Sequence, residues 1–305
     1  MRIAWCATGL IALVCTGTAC AQEAESNRIA LIGDARAGYF TQTRTDRDDS
    51  RDTTDEFIAR LRGGVKGVLS PSLSVQARAA GRYSTHDNHF YSKLFGSIPD
   101  TDGLRAGDST IDELFVKYTP TEHWQIRIGR VQTVFELAGL PGGSLDRSDS
   151  PNVDISWTDG AHAVYSLGDG WNTHLILQRN LASGATNVRL PPLDYRDADS
   201  RISYFAAIEK TEFSGPIVQR AIDINYLPSA LQVDGSAGGE ISDYWAFVGR
   251  FAVQLPQQTA ASRILLGGEL GYAPNTPTHA AVGTGSSGDT GGLAWQTSLS
   301  WLDLR

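Results

Sequence analysis

The chain has 305 residues, 26 of them Lys or Arg against 34 Asp or Glu, for a formal net charge of −8. An acidic balance argues against a nucleic-acid partner, which needs a basic face. Glycine is abundant, and beyond the N-terminus no apolar run approaches the ~20 residues a membrane-spanning helix needs, which leaves an all-β chain, either soluble or a transmembrane barrel whose strands give a weak individual signal.

The N-terminus carries Arg2, an apolar run over about Ile3–Val14 and the small residues Ala19-Cys20-Ala21. A charged start, a short apolar stretch and an A-x-A site make a secretory leader. Cleavage is expected after Ala21, leaving 22–305 as one barrel domain. All three cysteines (Cys6, Cys15, Cys20) fall in the leader, so the exported chain has no disulfide framework and no thiolate metal site. Loss of Arg2 leaves 25 basic residues against 34 acidic ones.

Period-two alternation then recurs to the C-terminus. It predicts twelve strands, at about 28–43, 56–69, 72–84, 110–118, 124–135, 155–167, 171–180, 201–212, 217–227, 244–255, 263–272 and 292–302. No stretch shows a capped helical period. The links alternate in length: "RTDRDDSRDTTD" (Arg44–Asp55) is long and "SPS" short. A long segment, Thr85–Ser109, is followed by a short turn at "TPTEH". Long links again follow the fifth, seventh, ninth and eleventh strands. Short turns on one side and long loops on the other are the plan of an outer-membrane barrel. A soluble sandwich has no reason to sort its loops in this way.

Facing gives the same answer. Trp124, Ile126 and Ile128 alternate with Gln125, Arg127 and Gly129; Leu293, Trp295, Leu299 and Trp301 alternate with Ala294, Gln296, Ser298 and Ser300. One face is apolar, as lipid requires, and the other polar and small, as a wet lumen requires. Aromatics recur near strand ends, among them Tyr118, Trp124, Tyr165, Tyr226 and Trp245, where membrane interfaces favour them. The strand phases place Asp34 in the lumen together with Arg36, Arg60, Arg62, Lys66, Arg78, Arg82 and Arg127, with Arg130 just beyond the clear register. Later strands add Glu209, Asp223, Arg250, Arg263 and Glu269. The early wall is therefore strongly basic, and basic groups in a wet pore concentrate anions. The third long link, Glu136–Asp154, carries Glu136, Asp146, Asp149 and Asp154 around a flexible "PGG". Folded inward, it would set carboxylates against the basic wall.

"DELFVKYTPTEHWQIRIGRVQTVFE", followed by a long loop and "SWTDGAHAVYSL", resembles Gram-negative outer-membrane porins, in particular the phosphate-selective-porin-like group. The resemblance is clearest over Glu56–Leu167. It implies passive diffusion of small hydrophilic solutes, a homotrimer and a loop folded into the pore, with Arg60, Arg62, Arg78, Arg82 and Arg127 as wall residues and Glu136, Asp146 and Asp149 as loop acids. Porins of this kind usually have sixteen strands and an aromatic C-terminus, whereas this chain offers twelve and ends "WLDLR". It is either a smaller barrel or a truncated one.

The partners expected are small solutes or anions and outer-membrane lipid. Neither a cofactor nor a metal is expected. The six histidines are scattered, and His86-x-x-His89 has no third ligand at a suitable spacing. No nucleophile motif, P-loop or dinucleotide fingerprint is present, so enzyme activity is not expected. The rival functions are an outer-membrane barrel enzyme and a non-conducting structural or adhesive barrel.

Overall fold

The computed structural model describes residues 28–45, 51–85, 91–92, 107–133, 135–139, 157–181, 200–213, 215–232, 241–256, 262–274 and 292–303. The leader therefore lies outside the described residues, as do Asp146, Asp149, Asp154, His86 and His89. Thirteen strands are present: β1 (Ile29–Thr45), β2 (Arg51–Ser70), β3 (Leu73–Ser84), β4 (Tyr91–Ser92), β5 (Asp108–Tyr118), β6 (Trp124–Gln132), β7 (Trp157–Gly168), β8 (Trp171–Leu181), β9 (Ser200–Thr211), β10 (Ile217–Gln232), β11 (Ile241–Gln254), β12 (Ser262–Ala273) and β13 (Gly292–Asp303). Twelve of them follow one another in a single sheet, each antiparallel to the next; the two-residue β4 lies off this path and pairs in parallel with β5. The twelve-strand expectation holds, and among the described residues there is no helix.

Apart from the link after β1, the links sort by length onto the two ends. Pro71–Ser72, 119–123, 169–170, 212–216 and 255–261 lie at one end, where β1 also begins and β13 finishes. Between β7 and β8, Gly168 closes against Trp171, and both intervening residues have positive φ (Asp169 50°, Gly170 78°). Two left-handed residues match the right-handed twist of a tight hairpin, and an Asp-Gly pair adopts them readily. At the other end the expected first long link is corrected. The ladder of β1 and β2 continues to Thr45 opposite Arg51, leaving only 46–50 as the connection. The register sets Arg44 opposite Asp52 and Thr43 opposite Thr53, residue types that favour cross-strand pairing, so a run that reads as a polar loop extends the hairpin.

The two faces differ as the alternation predicts. Leu61, Ile128, Ile222, Phe251, Leu270 and Leu299 stand exposed on the outer face, while Arg60, Asp223, Arg250 and Glu269 on the opposite face are almost completely covered. Charged side chains are covered on one face and apolar ones bare on the other because the sheet curls around the charged face; this is the arrangement of a membrane-spanning barrel wall. On the outer face near the long-link end, Tyr204, Tyr226, Trp245 and Phe247 stack in succession, with Tyr226 and Trp245 ring centres 4.3 Å apart. At the opposite end Trp124 packs on Tyr165 at 4.8 Å. Apolar band and aromatic rims together fit the hydrocarbon layer and its two interfaces. β1 and β13 are the ends of the ladder path, and among the described residues no ladder joins them.

Placing a charge in the middle of the apolar band tests this orientation. Ile222→Arg is expected to weaken folding into lipid vesicles by about 2–4 kcal/mol, measured by urea titration. A cost no larger than that of a substitution on a link would reject the assignment of the outer face.

Candidate functional site

The inner face is built from cross-strand ion pairs. Asp34 on β1 receives Arg60 Nη2 at 2.5 Å and Arg62 Nε at 2.7 Å, both from β2. Arg36 lies at the edge of this group, 3.9 Å from Asp34. Arg78 on β3 donates from Nε and Nη2 to Asp112 and stands 3.3 Å from Glu113. Two consecutive residues of β5 reach the same arginine because the ladder carries a bulge there: Arg78 pairs with Glu113 and Ala79 with Ile111, leaving Asp112 as the extra residue. A bulge turns an adjacent side chain onto the same face. A period of two cannot place Asp112, whereas Glu113 stands in phase with Phe115 and Lys117.

Gln132, at the end of β6, joins the cluster by accepting from Arg62 Nη1 at 3.0 Å and Arg78 Nη2 at 3.1 Å. Arg82 lies opposite Arg60 in the register and has polar contacts of its own. Arg130, at the uncertain edge of the sequence register, forms a fully buried two-pronged pair with Asp159, its cross-strand neighbour on β7. On the opposite wall Arg250 of β11 grips Asp223 of β10 through two bonds of 2.8 and 2.7 Å and meets Glu209 of β9 at 3.3 Å.

The strongly basic wall expected from the sequence is therefore corrected in its electrostatics. Arg60, Arg62, Arg78 and Arg130 are matched by carboxylates, because charges brought into a confined, poorly hydrated interior must be compensated. Lys66, Lys117 and Arg127 differ: among the described residues none of the three has a carboxylate within ion-pair distance. Lys117 and Arg127 sit opposite each other in the ladder. Like charges in directly opposed positions repel, so the positive bias of the wall concentrates here, toward the end with the short links. Arg127 donates to His162 Nδ1 at 2.6 Å and lies over the Phe115 ring.

The chain leaving β6 turns inward and reaches the far wall. The Phe135 ring packs on Phe205 at 4.6 Å and edge-on against His174 at 5.2 Å, with the Arg250 guanidinium 5.7 Å away over its face. The carbonyl of Glu136 accepts from Gln219 Nε2 at 2.8 Å and Arg250 Nη1 at 2.9 Å, and Gln219 Oε1 accepts from the Ala138 N–H at 2.8 Å. Leu137 is completely buried; a Cβ added to Gly267 would lie 3.0 Å from its Cδ2. At Gly139 φ is +85°, and any side chain would also run into Leu265, so only glycine fits where the segment turns. Residues 135–139 thus lie across the interior, reaching from beyond the end of β6 to β12. Inward folding of the link that begins at Glu136 is observed over its described part. Glu136 is exposed, and its backbone carbonyl is held by Gln219 and Arg250.

No family model matches the chain, and no curated protein matches it. Among solved structures, one that matches is the crystal structure of a Pseudomonas aeruginosa FadL homologue, at 10% identity and a TM-score of 0.34, covering 90% of this chain and 72% of the other.

Removing one partner of the Arg250–Asp223 pair leaves a buried charge uncompensated. Asp223→Ala is expected to cost about 3–5 kcal/mol, read from the urea midpoint of the vesicle-inserted protein. The equivalent change at half-exposed Glu212 should cost far less; equal losses would show that the interior pairs do not hold the wall.

Proposed function

We propose that this protein is an outer-membrane porin of a Gram-negative cell, passing small hydrophilic solutes by passive diffusion with a preference for anions. The observation that supports this reading above the others is the segment 135–139. It enters a charge-lined interior and is fastened to the far wall both by polar contacts and by two buried apolar clusters around Phe135 and Ala138, which narrows the interior from one side. The porin group that the stretch Glu113–Phe135 resembles has the same plan, a strand pair followed by a loop folded into the pore. β1, β2, β3 and β5 bring arginines, lysines and carboxylates inward, the polar lining that a water-filled interior uses.

Anion preference is assigned to Lys66, Lys117 and Arg127, since compensated arginines contribute little field to the solvent. Export through a cleaved leader, assembly as a homotrimer and the absence of enzyme activity are part of the same proposal.

Reconstitution into a planar bilayer is expected to give stepwise currents whose reversal potential indicates anion preference. Lys66→Glu with Lys117→Glu should shift the reversal potential toward cations, and Phe135→Ala with Gln219→Ala, which unfastens the inward segment, should enlarge the unit step. A silent membrane would remove the channel reading and favour a non-conducting barrel. An unchanged reversal potential would move the selectivity away from the two lysines.

A further inference from the structure

We propose that Arg127, His162, His174 and Glu209, together with Lys66 and Lys117, form a dipolar track on the inner wall that favours zwitterionic solutes, those carrying both a carboxylate and an ammonium group. This rests on the channel reading above and names a substrate class for the same interior.

The positive end is built on β2, β5 and β6. Lys117 stands opposite Ser74 on β3 and opposite Arg127 on β6, and Lys66 stands opposite Gln76, two positions along β3 from Ser74. The two lysines therefore flank β3 as diagonal neighbours on one face, with Arg127 beside the second. Lys66 and Arg127 both act electrostatically on Lys117. Among the described residues these three cations have no carboxylate within ion-pair distance, and the buried Nε of Arg127 makes no hydrogen bond.

Two imidazoles connect this end to a carboxylate. Arg127 Nη2 lies 2.6 Å from His162 Nδ1, His162 Nε2 lies 3.1 Å from His174 Nδ1, and His174 Nε2 lies 3.3 Å from Glu209 Oε1. The last contact is close but poorly aligned, since His174 Nε2 makes no hydrogen bond of good geometry. A guanidinium has only donors, so His162 Nδ1 accepts and the proton of the neutral ring sits on Nε2. That proton is donated to His174 Nδ1, which leaves the His174 proton on Nε2, toward Glu209. His162 is buried beside Arg127, where a second positive charge is unfavourable. With both rings neutral, the middle of the track is a run of hydrogen-bonding groups without charge.

Glu209 on β9 is the negative end. It shares Arg250 with Asp223, and the sharing is unequal: Asp223 takes two bonds of 2.8 and 2.7 Å, whereas Glu209 is reached at 3.3 Å. Two carboxylates against one guanidinium leave one negative charge in excess. It falls on Glu209, whose side chain is 20% exposed against 1% for Asp223. β6 and β9 are separated by β7 and β8 in the sheet, and at about 4.8 Å per strand spacing the two ends lie about 14 Å apart along the wall. Opposite charges set apart on a confined, poorly hydrated wall produce a field that solvent screens little. A neutral solute gains nothing from it. A simple anion is drawn to one end and repelled by the other. A zwitterion turns its carboxylate toward Lys66, Lys117 and Arg127 and its ammonium toward Glu209, and gains at both.

The test uses lipid vesicles carrying the full-length exported protein at about pH 7.5, above the ordinary range of histidine titration. The entry rate of ε-aminocaproate, a zwitterion, is divided by that of ε-hydroxycaproamide, a neutral solute of the same length, each corrected for protein-free vesicles. In the unaltered protein the ratio is expected to be at least about threefold, and in Glu209→Gln, which keeps the shape and removes the charge, it should fall to about one. A ratio of about one in the unaltered protein overturns the track; because the neutral solute still enters, the channel reading stands. Vesicles that admit neither solute remove both. A ratio that Glu209→Gln leaves unchanged also overturns the track. Should that variant fail to insert, Lys66→Gln with Lys117→Gln decides, since neither lysine holds an ion pair in the described wall. The ratio should again fall to about one, and an undiminished ratio rejects the track.

Discussion

Arg250 joins the wall of the barrel to what lies inside it. Its guanidinium holds Asp223 with two bonds, touches Glu209, donates to the Glu136 carbonyl and lies over the Phe135 ring. A planar group with five fixed donors can serve a carboxylate, a carbonyl and a ring at once, which a lysine cannot. The side chain is completely covered, so each of these contacts is made away from bulk solvent, where an uncompensated charge is costly. Through Arg250 the positions of β9, β10 and β11 and of the inward segment depend on one another.

The opposite wall follows the same rule with different parts. Asp34 is shared by Arg60 and Arg62, and Arg78 by Asp112 and Glu113. Gln132 lies between the two groups as a neutral acceptor. The carboxylates come from β1 and β5, on either side of the two strands that supply the arginines. The β5 bulge makes this possible: without the extra residue Asp112, only one of the two acids would point inward. The three cations outside this scheme, Lys66, Lys117 and Arg127, lie closer to the short-link end. Among the described residues of this wall, charges are compensated in the middle and positive excess lies toward the short-link end, which the formal net charge of the chain conceals.

Strand order, inside and outside faces and the sorting of links were all legible in the sequence because each rests on a local, repeating rule. A period of two in Trp124–Arg130 or Leu293–Trp301 marks a strand with one wet face wherever it occurs. Other features were not legible. Asp112, the extra residue of the bulge, breaks the period, and His162 and His174 are twelve positions apart in the sequence. A signal for the histidines did exist. The two-residue Asp169–Gly170 turn fixes the register of β7 on β8, and that register puts His162 and His174 on the same face as diagonal neighbours. The extended first hairpin was missed for the opposite reason, since polar residues that suit a loop also suit a ladder rising beyond the apolar band.

The sequence by itself determined that the chain is an all-β antiparallel wall with an apolar outer face, and that the link after β6 was the candidate for narrowing the interior. These are consequences of side-chain alternation and of link composition, which need no knowledge of distant neighbours. Only the tertiary structure decided which charges remain uncompensated, because compensation depends on which strands meet. It also decided that the Phe135 ring and the Glu136 carbonyl help fasten the inward segment. That outcome required Gln219, Arg250 and Gly267 to converge from three strands, and nothing local to residues 135–139 encodes their arrival.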